Sequence, residues 1–143
     1  MTEPNYTIDT LLELEDGAAA ITADGAGSDI LDIGAFRMRG DVVCDVSAID
    51  IGHADETYFI SVQGSSSSTF ASTIQELACL RLGDGTTIGS TIDVDDTTGR
   101  FVIPFVNERN GTSYRYLRLY VDVTGTGNSI TFKAWLAKAK SMG

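Results

Sequence analysis

Hydrophobic and polar positions alternate along most of this chain, with short glycine-bearing and polar clusters between the alternating runs. A period of two places successive side chains on opposite faces, so such runs predict half-buried β-strands. The clearest is Tyr114 to Val123. Leu117, Leu119, Val121 and Val123 share one face, and Tyr114, Tyr116, Arg118, Tyr120 and Asp122 the other. The turn Gly125-Thr126-Gly127-Asn128 follows. Ser129 to Ala137 then alternates again, with Ile130, Phe132, Ala134 and Leu136 opposite Thr131, Lys133 and Trp135. Two such runs joined by a glycine turn predict an antiparallel hairpin.

Shorter runs precede them. Val42 to Ala48 sets Val42, Cys44, Val46 and Ala48 against Asp45 and Ser47. Thr57 to Gln63 sets Tyr58, Ile60 and Val62 against Phe59 and Ser61, and Leu77 to Leu82 sets Leu77, Cys79 and Arg81 against Ala78, Leu80 and Leu82. Thr87 to Val94 reads as a strand broken near Gly89. In Arg100 to Val106, Pro104 points to an edge or a bulge, because proline cannot donate to a ladder. Ser28 to Ile33 and Leu11 to Leu14 are shorter candidates. The one helical candidate, Thr69 to Glu76, carries no apolar stripe. Strands at this spacing predict an all-β antiparallel sandwich or barrel of roughly eight strands. Residues 1–10 read as a flexible arm with few packing groups, and 11–143 as a single domain. Ser65-Ser66-Ser67-Ser68 reads as an exposed, mobile loop.

Composition narrows the function. The 143 residues carry 20 acidic and 10 basic side chains, a net charge of −10. A nucleic-acid binder needs lysine and arginine to replace counterions, so no nucleic-acid partner is expected. The charge is uneven: residues 1–99 hold 18 acids and 3 bases, net −15, whereas residues 100–143 hold 2 acids and 7 bases, net +5. Either neighbouring strands mix these charges in space, or the molecule has opposed charged faces suited to docking. No apolar run approaches the roughly 20 residues of a membrane helix. The start, Met1-Thr2-Glu3-Pro4-Asn5-Tyr6, lacks the basic and apolar regions of a secretory signal, so synthesis in the cytoplasm is expected. Cys44 and Cys79 lie far apart with no metal-ligand spacing, and read as small buried thiols.

Chemistry-bearing patterns are sparse. His53 is the only histidine, so any nucleophile relay must use it, and it sits in a polar connection. Gly25-Ala26-Gly27 lacks the third glycine and helix of a phosphate loop. Asp93 to Gly99 breaks the EF-hand pattern and reads as a turn capped by aspartates. Glu13, Glu15 and Asp16 read as a solvated strand end or as a patch for a basic partner. Asn110-Gly111 reads as a turn. No catalytic residue, metal or cofactor is expected, and the chain reads as a non-enzyme. The Tyr114/Tyr116/Arg118/Tyr120 face is the remaining feature. Tyrosine and arginine are enriched at interface hot spots, although such a face also occurs as ordinary cross-strand packing. Trp135, on the neighbouring strand of the expected hairpin, would extend the same patch.

The order of features resembles a known family. Leu11-Leu12-Glu13-Leu14, then Ile30-Leu31-Asp32-Ile33-Gly34, then Tyr58 to Ser66, then a loop at Phe70, and finally Tyr116-Leu117-Arg118-Leu119-Tyr120 before a glycine turn, are similar to the capsid cement (decoration) proteins of tailed bacteriophages, the family typified by the Bordetella phage cement protein. The basic end, Lys138-Ala139-Lys140-Ser141-Met142-Gly143, departs from that pattern. The resemblance implies a jelly-roll sandwich on the capsid exterior of a virion, made in the host cytoplasm. Its partners would be the major capsid protein and further copies of itself, as a dimer or trimer, with no membrane. The expected contact residues are Tyr114, Tyr116, Arg118, Tyr120, Arg109 and Trp135, together with Asn5 and Tyr6 of an arm that orders on binding. A carbohydrate- or receptor-binding jelly roll, with Trp135 as the stacking platform, is the alternative.

Overall fold

A computed structural model describes residues 12–51, 55–83 and 98–138. The expected strand at Thr87 to Val94, the arm residues Asn5 and Tyr6, His53, the aspartates 93–96 and the basic end from Ala139 lie outside these ranges.

The described chain forms eleven strands: β1 (Glu13–Glu15), β2 (Gly25–Ala26), β3 (Leu31–Asp32), β4 (Arg39–Ile49), β5 (Thr57–Ser65), β6 (Gln75–Gly83), β7 (Gly99–Val106), β8 (Glu108–Arg109), β9 (Thr112–Ser113), β10 (Tyr116–Thr124) and β11 (Ile130–Lys138). All pairings are antiparallel. One sheet runs β1-β11-β4-β7; the other runs β2-β10-β5-β6, with β3 also on β10. β2 and β3 act as one interrupted strand. Gly27, just after β2, sits so close to β1 that an added Cβ would lie 2.7 Å from the Leu14 carbonyl oxygen. Counting β2 and β3 together and setting aside the separate β8–β9 hairpin gives eight strands in the order 1-8-3-6 over 2-7-4-5. That is the jelly-roll arrangement, in which two Greek keys fold one long antiparallel ribbon into a sandwich. No helix of the described residues is long and apolar enough to cross a membrane.

This topology overturns the expected hairpin. β10 and β11 lie in opposite sheets: β10 pairs with β5, and β11 pairs with β4. Their alternation is nonetheless the expected one. Leu117, Leu119, Val121 and Val123 face Ile130, Phe132, Ala134 and Leu136 through a shared core, joined by Val42, Cys44, Val46, Tyr58, Ile60, Val62, Ile103 and Phe105. Each Val, Leu, Ile and Phe among them stabilises the fold by about 1.5–3 kcal/mol relative to exposure. Burial also pushes the Cys44 thiol pKa up to about 12, with Asp45 adding to the rise. Cys79, expected to be buried, is exposed.

Two bulges adjust the faces. Thr131 pairs with Ala48 but Phe132 with Val46, so Ser47 is the extra residue, and Ala48 turns out of the core. In β6, Val62 pairs with Ala78 but Gln63 with Glu76, so Leu77 is extra and points inward beside Leu82. Pro104 stands on β7, an edge strand of its sheet, as its missing N–H requires.

Two connections differ from expectation. Thr69 to Glu76 is not helical: Phe70 and Thr73 have φ of 55° and 56°, and β6 begins at Gln75. The serine run is not a free loop. Ser65 is fully buried; its Oγ donates to the Ser72 carbonyl at 2.7 Å and accepts the Ser67 N–H at 3.0 Å. The Asn110-Gly111 turn is as expected. It joins β8 to β9 with φ of 51° and 82°, the two left-handed conformations of a tight hairpin.

Candidate functional site

The outward face of the β2-β10-β5-β6 sheet gathers three of the aromatic and guanidinium groups singled out by the sequence, Tyr116, Arg118 and Tyr120. Cross-strand partners share a face. The register therefore sets three rows across β10, β5 and β6: Asp122, Phe59 and Arg81; Tyr120, Ser61 and Cys79; and Arg118, Gln63 and Glu76. Tyr116 stands at the end of the β10 column, beside Ser65. Tyr116, Arg118 and Tyr120 are each half-buried.

Cations and rings alternate over this surface. The Arg118 guanidinium carbon lies 4.5 Å from the centre of the Phe70 ring and 5.7 Å from that of Tyr120. Arg115 covers Tyr116 at 5.4 Å, and Arg81 lies 6.0 Å from Phe59. Phe70 reaches Arg118 because the β5–β6 connection folds back through the Ser65 hydrogen bonds. Its ring is only 5% exposed. The sequence placed Phe70 in a loop and gave no sign that it braces Arg118.

Fixed hydrogen bonds hold the polar groups. Arg118 Nε donates to Gln63 Oε1 at 2.9 Å, and Ser61 Oγ donates to Glu76 Oε1 at 2.6 Å. Arg115 is committed to Asp32, donating from Nε and Nη2 at 2.9 and 2.8 Å. That fork, and the Gly34 N–H, hold the Asp32 carboxyl below the usual range. Asp122 is shifted upward by burial and by the neighbouring Asp24 carboxylate.

Three of the expected contact residues do not join this face. Tyr114 precedes β10; the chain bends at Arg115, which breaks the alternation, and Tyr114 packs against the core beside Gly64. Its N–H donates to the Asn107 carbonyl at 2.8 Å. Trp135 sits on the other sheet, on the side away from the main core, so it cannot extend the patch. It is 0% exposed, clustered with Val43 and Ala137, and Arg100 lies over its ring at 5.2 Å. Its Nε1 is buried with no hydrogen-bond partner among the described residues. Arg109 donates from Nη2 to the carbonyl of the bulged Leu77 at 2.7 Å, so it serves to pin β6 to the β8–β9 hairpin.

That end of the sandwich is organised by a residue the sequence did not flag. Asn107 is fully buried. Its Oδ1 accepts the Met38 N–H at 2.7 Å, and its Nδ2 donates to the carbonyls of Phe36 and Tyr114 at 2.9 and 3.0 Å. Phe36, held by this contact, is 65% exposed. The acidic cluster near the start is spent on structure. Glu13 pairs with Lys133 at 3.3 Å, and the two Glu15 oxygens accept the N–H groups of Gly17 and Ser28. Among the described residues no group of three metal-ligating side chains converges.

Compared with known proteins, the chain matches no family model, and no curated protein matches it.

Proposed function

We propose that this protein is a structural virion protein that binds the outside of a phage capsid and cements neighbouring major capsid protein subunits. The observation that carries the reading is the outward face of the β2-β10-β5-β6 sheet. Arg118 stacks on Phe70 and Tyr120, and Arg115 on Tyr116, over a rigid antiparallel scaffold. Aromatic and arginine groups fixed on a regular sheet lose little side-chain entropy on binding, which is the property of an interface hot spot. The jelly-roll topology agrees with the resemblance to cement proteins, although a fold alone does not name a function. A weak contact repeated around a symmetric shell gains its strength from multiplicity.

The carbohydrate-binding alternative loses its platform, since Trp135 is fully buried. The contact set also changes: Tyr116, Arg118 and Tyr120 remain, Phe70 joins them, and Tyr114 and Trp135 leave. The test is co-sedimentation with empty phage shells that lack the protein. Arg118→Ala combined with Tyr116→Ala is expected to abolish co-sedimentation while leaving the circular-dichroism spectrum and the unfolding transition cooperative. Binding at wild-type strength by a folded double variant would remove this face from the reading.

A further inference from the structure

We propose that Arg118 is a preformed receptor for a single carboxylate, supplied by an aspartate or glutamate side chain of the protein that docks on this face. The proposal rests on the reading of the face as a protein-binding surface and names the group that the partner brings.

Four of the seven arginines of the described chain are already committed through their guanidinium groups. Arg100 and Arg115 each direct a two-pronged fork onto a carboxylate, Asp45 and Asp32 respectively. Arg37 pairs with Glu108 at 3.0 Å, and Arg109 is held by the Leu77 carbonyl. Arg118 differs. Its Nε is taken by Gln63, its plane is fixed by Phe70 and Tyr120, and within the described residues Nη1 and Nη2 take no partner. The guanidinium is therefore oriented without being satisfied. A planar guanidinium with both terminal nitrogens free matches the two oxygens of a carboxylate, and stacking removes the entropy such a contact otherwise costs.

The surroundings choose among anions. Arg118 is the only cation of its row, and Glu76 stands in the same row across Gln63. Arg81 is two same-face rows further along, on β6. One guanidinium next to a carboxylate suits a monoanion and disfavours phosphate, which needs more positive charge. The net charge of −10 disfavours polyanions further.

The test is a titration of the whole chain followed by the Nε–Hε signals of its arginines in nitrogen-edited NMR. Arg118 is assigned by the signal that Arg118→Lys removes. The probes are a blocked Ala-Glu-Ala peptide, the matching Ala-Gln-Ala peptide and inorganic phosphate. A single forked contact saturates only at millimolar ligand or above. The glutamate peptide is expected to move the Arg118 signal saturably, at least about threefold further than the Arg100 and Arg115 signals, whose forks are already filled. The glutamine peptide is expected to leave it in place, and Phe70→Leu is expected to weaken the response. An Arg118 shift no larger than that of Arg115, an equal shift with the glutamine peptide, or an equal shift with phosphate would overturn the proposal. The outcome is separable from capsid binding. A chain that binds the peptide but ignores shells keeps the receptor and loses the capsid reading; a chain that binds shells but not the peptide loses the receptor alone.

Discussion

Removing the Phe70 ring tests whether the aromatic loop braces Arg118 or merely lies beside it. Phe70→Leu keeps most of the apolar volume, so the packing loss is expected to stay below about 1.5 kcal/mol. What leucine cannot supply is the negative face of the ring under the guanidinium. Such a contact contributes about 0.5–1 kcal/mol at exposed sites and about 2 kcal/mol when water is excluded. The ring is 5% exposed and the arginine half-buried, which places the expected term near 1 kcal/mol. Arg118→Met retains the apolar stem and removes the charge, so a double-mutant cycle with Phe70→Leu isolates the pair. Urea unfolding of the four proteins is the assay. With a slope of about 1–3 kcal/mol per molar urea, a coupling of about 1 kcal/mol appears as a readable shift in midpoint. Additivity within about 0.3 kcal/mol would mean that ring and cation do not interact, and the braced-arginine argument would fail.

Other expectations follow from single contacts. Asn107→Asp keeps the size of the side chain but turns the Nδ2 donor into an acceptor facing two carbonyls, so it is expected to cost at least about 3 kcal/mol in urea unfolding; a cost under about 1 kcal/mol would show that Asn107 does not organise the loops around it. Trp135→Phe removes a buried donor that has no partner among the described residues, which offsets much of the lost volume, so it is expected to change stability by less than about 1 kcal/mol, against about 3–5 kcal/mol for Trp135→Ala. Burial holds the Glu15 carboxyl above its ordinary value of 4.5. The folded chain therefore binds that proton more readily than the unfolded one. Its contribution should grow as pH falls from neutral through the folded pKa and be complete below 4.5. Relative to Glu15→Gln, the wild type should gain stability over that window; a difference independent of pH would contradict the assignment.

Much of the fold was legible in the sequence because burial imposes alternation. The core residues of β5 and β10 are those the period of two selects, and Pro104 announced its edge strand. Which sheet a strand joins was not legible. Alternation states which side chains face inward, not which neighbour supplies the hydrogen bonds, so β10 and β11 read equally well as a hairpin and as facing strands. The bulges at Ser47 and Leu77 add one residue each without a local signature, and each reverses the face of the residues beside it. At the site, Tyr116, Arg118 and Tyr120 were visible on their strand. Tyr114 was misplaced because the bend at Arg115 breaks the period. Phe70 escaped notice because its position depends on hydrogen bonds among serines far from any apolar pattern. Trp135 was assigned to the wrong surface as a direct consequence of the hairpin.

In the proposed function, the β2-β10-β5-β6 sheet turns its stacked arginines and tyrosines toward a repeating protein shell. Imaging empty phage shells incubated with the protein, at a resolution that orients the sandwich, tests it most directly. The expected image has ordered density on the shell exterior at the junctions between capsid subunits, with Tyr116, Arg118 and Tyr120 at the contact. Bare shells at saturating protein, or bound protein that presents this sheet to solvent, would contradict it.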